Sequence, residues 1–369
     1  MKKIHFLASI ILVNVILVSC SKEETYVEDE LNAVYATTSS ANKYSELIQD
    51  RSINLDLSVN DFAFYDDLSR AVAPSECSTT DFDAAINETI AENLDQLGAE
   101  FYSIYSDINF YMSLVDTSPQ YFGENGRYTS LMKKRVREHE KFWDMPNEVA
   151  VKGQHNSNFE NESLLRETLP FLYGPTADID ALIAEISAIN EESTFLIENP
   201  FVSFDGFAIN IDNFFGKGQG DIIVISDGIV SVMEKAGIDA DIVWTGILAH
   251  EWGHQIQFNN TWGYPTEAGN IPEATRSTEL EADFFAAYFM THKRGATYNW
   301  KRVEAFFDLF FNIGDCGFEA DGHHGTPLQR MDAAHRGYLL AQSAQKKGHI
   351  LSPEAVHNAF VAELPTIVE

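Results

Sequence analysis

Apolar positions in several long stretches of this chain recur at steps of three and four, the period of a helix that buries one face. Between 81 and 108 they fall at Phe82, Ile86, Ile90, Leu94, Leu97, Phe101, Ile104 and Ile108, so one long amphipathic helix is expected there. A second, rich in Lys and Arg, is expected over 131–143, and a third over 178–196, where Ile179, Leu182, Ile183, Ile186 and Ile189 keep the spacing until Asn199-Pro200 ends it. Residues 144–176 carry Pro, Gly and Asn and predict irregular chain with a strand at 148–152. Weak alternation over 204–211 and an apolar run at 221–225, with glycines between them, predict two strands joined by a turn. Helices are then expected over 229–235, stopped by Gly237, and over 241–258, 273–293 and 298–311. Thr326-Pro327-Leu328-Gln329 places threonine at N-cap, proline at N1 and glutamine at N3, a helix start, and Ser352-Pro353-Glu354 starts the last helix similarly.

The first residues change the picture of where the chain lives. Met1-Lys2-Lys3 is followed by an apolar run to Val18 that ends in Leu17-Val18-Ser19-Cys20. The run is short of the roughly 20 apolar residues of a membrane span and fits a signal peptide over 1–19. The motif resembles the lipobox of bacterial lipoproteins, which implies diacylation of Cys20 and an outer-membrane lipoprotein facing the periplasm or the cell surface. Ser21-Lys22-Glu23-Glu24 resembles the signal that exports some lipoproteins to the cell surface. Residues 20–45 then read as the lipidated cysteine and an acidic tether, 46–200 as a helical region and 201–369 as a second domain. Cys77 and Cys316 remain, as one disulfide or as two separate thiols.

Apolar content of 45% suffices for a sizeable core. The net charge of −31, or −33 once Lys2 and Lys3 leave with the signal peptide, repels nucleic acid and anionic headgroups. Membrane contact is expected only through the N-terminal lipid.

The chemistry concentrates in His250-Glu251-Trp252-Gly253-His254. Residues four apart share a helical face, so both imidazoles can reach one ion, and zinc takes neutral imidazole readily. Glu251 follows the first ligand, where a carboxylate can reach an activated water. Ile247, Leu248, Ile256 and Phe258 predict a buried helix, and Gly253 predicts close approach of a neighbouring backbone. A third histidine is excluded where HExxHxxGxxH would need glycine and histidine, because Gln257 and Asn260 stand there. Glu279 and Asp283 share a face of the next helix, whose apolar surroundings make buried acids costly without a partner. Glu279 is expected as third ligand and Asp283 as acceptor for the free N–H of a ligand histidine, while Glu281 is expected to point away. His139 has no histidine four residues later and is expected at the surface.

This pattern, HExxH followed 25 residues later by Glu-x-x-Ala-Asp, resembles the gluzincin peptidases, both the prenyl-protease and heat-shock membrane peptidases and a bacterial group of neutral zinc metallopeptidases. The segment His324-Gly325-Thr326-Pro327-Leu328-Gln329-Arg330 is similar to the His-Gly-Thr/Ser-x-x-Gln-Arg of the latter, and the resemblance spans roughly residues 204–340. It implies an α+β, mainly helical fold: a zincin-like helical core with a small β-sheet next to the HExxH helix, preceded by the helical N-terminal region. It implies one zinc ion on His250, His254 and Glu279, with Glu251 as general base, acting on a protein or peptide substrate. Absence of multiple membrane spans separates the chain from the membrane peptidases. For the oxyanion donor His324 leads, with His323, Tyr264, Tyr288 and Arg330 behind it, and the strand at 221–225 either offers an edge to an extended peptide or is purely structural. Two other functions use the same residues: a zinc amidase on cell-wall amides, and a non-catalytic surface lipoprotein with a structural metal.

Overall fold

The computed structural model describes residues 91–210, 220–260, 262–264, 271–299, 301–305, 325–347 and 349–368, with isolated positions at 85, 88 and 89. The expectations for Cys20, Cys77, Cys316, His323 and His324 lie outside the described residues. The fold is α+β and mainly helical, with a three-stranded sheet. Among the described residues no helix is long and apolar enough to cross a membrane.

In chain order the elements are α1 (Gln96–Val115), α2 (Thr129–Trp143), β1 (Val149–Gln154), α3 (Glu162–Tyr173), α4 (Ile179–Glu192) and α5 (Thr194–Glu198). Then come β2 (Gly206–Asn210), β3 (Asp221–Ser226), α6 (Asp227–Lys235), α7 (Ala240–Asn260), α8 (Ile271–Thr291), α9 (Pro327–Lys347) and α10 (Pro353–Ile367). The starts of α9 and α10 follow their signals. Gln329 N–H donates to Thr326 Oγ1 at 3.2 Å and Thr326 N–H to Gln329 Oε1 at 3.1 Å, a closed capping box, and Ala355 N–H donates to Ser352 Oγ at 3.2 Å.

Two expected helices are broken, for one shared reason. The stretch over 81–108 turns at Asn93, and α1 begins after Asp95, whose carboxylate accepts from Gly98 N–H at 2.6 Å. The stretch over 178–196 divides at Ser193, whose hydroxyl donates to Asp95 Oδ2 at 2.9 Å and accepts from Leu196 N–H at 3.2 Å. A single side-chain pair thus caps two helices at once, and capping outweighs continuing the ladder. Helix α3 was not expected. Pro170 disguises it, but the proline lies near its C-terminal end, and Leu164, Leu165, Leu169 and Leu172 bury a continuous face.

The sheet order is β1-β3-β2, with β1 parallel and β2 antiparallel to β3. Strand β3 is therefore central, paired along both sides, and its edge is not open to an extended peptide; this corrects the edge reading of 221–225. Its side chains alternate between two cores. Ile223 and Ile225 enter a core shared with α6, α7, α8, α9 and α10, whereas Ile222 and Val224 enter one shared with α1, α3 and α4. The sheet takes β1 from before residue 200 and β2 and β3 after it, so segments 46–200 and 201–369 share this wall.

His139 is a further correction. It is fully buried, stacked on Phe289 at 3.6 Å and on Trp252 at 4.8 Å between ring centroids. Its α2 neighbours Met132, Arg135 and Phe142 are buried with it, a helical stripe that the high charge of the segment conceals. Burial holds the His139 pKa well below the usual imidazole value, and the Arg135 charge adds to this. Above the unfolded value of about 6.5 the ring is neutral in both states and contributes no pH dependence. Below it only the unfolded chain takes up the proton, so stability falls as pH drops, by about 1.4 kcal/mol per pH unit. Denaturant unfolding of the wild type and His139→Phe between pH 7 and 4 should show the variant losing stability less steeply by about this slope; parallel curves would refute the neutral, buried ring.

Candidate metal centre

Two helices build the site, and their separation is set by Gly253. A Cβ there would lie 3.0 Å from Ala282 Cα and 3.2 Å from Ala282 Cβ, so α7 and α8 approach backbone to backbone. Thr278 through Asp283 of α8 are thereby laid against Glu251 through Gln257 of α7.

At this crossing His250, His254 and Glu279 offer donor atoms that all lie within 4.8 Å of one another, and all three residues are buried. Nε2 of His250 is 3.1 Å from Nε2 of His254. Glu279 Oε2 is 3.2 Å from the first nitrogen and Glu279 Oε1 is 3.3 Å from the second. This group could hold a metal ion.

The far side of each ring is also held. His250 Nδ1 lies 2.9 Å from Asp283 Oδ1, and Arg330 from α9 donates to the same carboxylate through Nε at 2.8 Å and Nη2 at 2.7 Å. His254 Nδ1 faces Gln257 Oε1 at 2.9 Å. Both rings therefore present Nδ1–H to an acceptor and turn Nε2 toward the centre, the orientation a ligand histidine needs.

Charge supports the same use. Glu251, Glu279 and Asp283 are buried, and the guanidinium that meets this group is Arg330, fully buried itself. Among the described residues the carboxylates gathered at this crossing outnumber the guanidinium, a balance that suits a divalent cation. The imidazoles respond to it. Burial lowers the His250 pKa, but hydrogen bonds and charge from Asp283 and Glu279 more than reverse this, to about 9. His254 is likewise raised despite burial, through Glu279 and, at longer reach, Glu251. Positive charge is what the cavity favours.

Comparison with family models, curated proteins and solved structures returns no match to this chain. The case for its chemistry rests on these side chains.

The oxyanion candidates within the described residues make the following hydrogen bonds. Tyr264 donates to Glu281, Tyr288 Oη accepts from Leu351 N–H at 2.9 Å, and Arg330 spends Nε and Nη2 on Asp283. Glu281 does face away from the three donors, but not toward water. It is fully buried in a polar cluster with Gln257, Tyr264 and His357. Gln257 was overlooked as a partner of His254, although its place three residues on along the same helix makes it readable. His357 comes from α10, and no local pattern announces it.

Gly253→Val would press a branched side chain into the Ala282 backbone and part the helices. The expected cost is about 1–3 kcal/mol of stability, together with weakened uptake of divalent metal. Thermal unfolding with and without zinc measures both, and an unshifted midpoint with wild-type metal stabilisation would contradict the close crossing.

Proposed function

We propose that this chain is a zinc-dependent peptidase of gluzincin type, with His250, His254 and Glu279 as ligands and Glu251 as general base. The observation that carries it is the spacing of the three donors. Tetrahedral zinc with bonds of about 2.0–2.1 Å requires ligand atoms roughly 3.3 Å apart; here the two imidazole nitrogens are 3.1 Å apart, one carboxylate oxygen of Glu279 is 3.2 Å from the first and its other oxygen is 3.3 Å from the second. Two imidazole nitrogens and one carboxylate oxygen suit zinc by donor softness. Among the described residues no fourth ligand joins them. A structural zinc is closed by four protein ligands, whereas three leave a position for chemistry.

Zinc, when bound, supplies a Lewis acid that polarises a carbonyl and acidifies water. The rest falls to the chain. Asp283, gripped by Arg330, orients His250, and Gln257 orients His254. Glu251, a buried carboxylate on the same helix as His250 and His254, would take the proton of the attacking water and deliver it to the leaving amine. A structural site has no need of such a base, which favours catalysis. The resemblance of the segment ending at Cys20 to a lipobox supports an activity outside the cytoplasm, on a tethered domain with peptide substrates in reach.

Purified protein should carry about one zinc per chain by metal analysis. Glu251→Gln should keep that zinc and lose about 10²–10⁴-fold in peptide hydrolysis. A diverse peptide library, with cell-wall amide fragments beside it, identifies the substrate class. A wild type that binds zinc and cleaves no peptide would overturn the peptidase reading, and turnover of the cell-wall fragments alone would make the chain an amidase.

A further inference from the structure

The polar cluster behind His254 has a directional logic. We propose that Glu281, acting through Gln257, is a positioning residue of the metal centre, fixing the His254 tautomer that leaves Nε2 bare toward Glu279 and His250. This rests on the metal reading of the three donors.

A primary amide has one accepting end and one donating end. Gln257 Nε2 lies 2.9 Å from Glu281 Oε2 and 2.9 Å from the Thr278 carbonyl oxygen. The carbonyl can only accept, so the NH₂ group must face it and, with its second N–H, the Glu281 carboxylate beside it. The amide oxygen is then left to His254 Nδ1, 2.9 Å away. Because that oxygen cannot donate, Nδ1 carries the proton of the neutral ring and Nε2 its lone pair.

Glu281 is itself held through both of its oxygens. Tyr264 O–H donates to Oε2, and His357 Nδ1 lies 2.5 Å from Oε1. Trp262 stacks on the His357 ring at 4.4 Å between centroids. Side chains from α7, the segment after it and α10 therefore converge on one fully buried carboxylate of α8. Burying a carboxylate beside a tyrosine hydroxyl and an amide is costly where packing alone is needed. His250 is served by the same device in a shorter form, with the Asp283 carboxylate directly against its Nδ1.

Replacing Glu281 by glutamine leaves one acceptor and adds a donor. Where that donor meets Gln257, the Gln257 amide reverses, presents NH₂ to His254 Nδ1 and moves the ring proton to Nε2, where it blocks coordination. The Thr278 carbonyl opposes the reversal, so a partial effect is expected.

The test uses the full chain in wild-type, Gln257→Leu, Glu281→Gln, Glu281→Asp and double Gln257→Leu/Glu281→Gln forms, each checked for folding by circular dichroism. Zinc affinity is read by competition with a chromophoric chelator. Nitrogen-15 NMR of the His254 ring, in metal-free protein at alkaline pH, reads the tautomer. Gln257→Leu and Glu281→Gln should each weaken zinc about 10–100-fold, the double variant should be no worse than Gln257→Leu, and Glu281→Gln should populate the Nε2–H form. Glu281→Asp, which withdraws the acceptor but keeps the charge, should shift both readouts the same way, and it carries the test if Glu281→Gln does not fold. Wild-type zinc affinity with an unchanged tautomer would overturn the proposal, and so would additive losses in the double variant, since Glu281 would then act on the fold and not through Gln257. If the wild type takes up no zinc, the metal reading fails, and the tautomer in wild type and variants still decides the role of Glu281.

Discussion

The backbone contact of α7 and α8 at Gly253 and Ala282 is the constraint from which the rest of the site follows. Helices normally keep 8–10 Å between their axes because side chains stand between them. Where a glycine lets one helix settle onto the other, ligands on both can share one ion. With a larger residue at 253, His250 and His254 would still be neighbours through helical spacing, but Glu279 would be carried away from them. The energetic sacrifice is the low helix propensity of glycine, about 1 kcal/mol. Close packing of Trp252, Leu248, Phe284 and Phe285 in the surrounding core offsets it.

Around that crossing, polar groups that would be expensive singly are made tolerable in combination. Asp283 is satisfied by His250 and Arg330, Glu281 by Gln257, Tyr264 and His357, and each set ends on a ring nitrogen of the HExxH pair. Among the described residues, Glu251, Glu279 and Asp283 outnumber the one guanidinium that meets them, a balance that suits a cation. Such networks are stiff, because every member loses a partner when one moves. Stiffness is what a metal site needs if its geometry is to be imposed on the ion.

Much of this was legible along the chain because the relevant periods are short. A spacing of four on one helix placed His250 with His254 and Glu279 with Asp283, and a spacing of three and four marked the faces of α1 and α4. The capping box at Thr326 and the cap at Ser352 were readable because every participant lies within four residues. Misreadings arose where a distant partner decided the outcome. Asp95 and Ser193 break two helices only because they meet each other across 98 residues. His139 reads as a surface residue in a run of charges until Trp252 and Phe289 close over it.

The sequence by itself determined the mainly helical class, the pairing of His250 with His254 and of Glu279 with Asp283, and that no histidine stands at position 260. Those are properties of side-chain identity and helical pitch, which need no knowledge of neighbours. Tertiary structure alone decided that β3 is a central strand feeding two cores, that Glu281 is buried, and that Arg330 and His357 reach the site from α9 and α10. These depend on which faces meet, and that is settled by the summed burial of apolar surface over the whole chain, a quantity no local window contains.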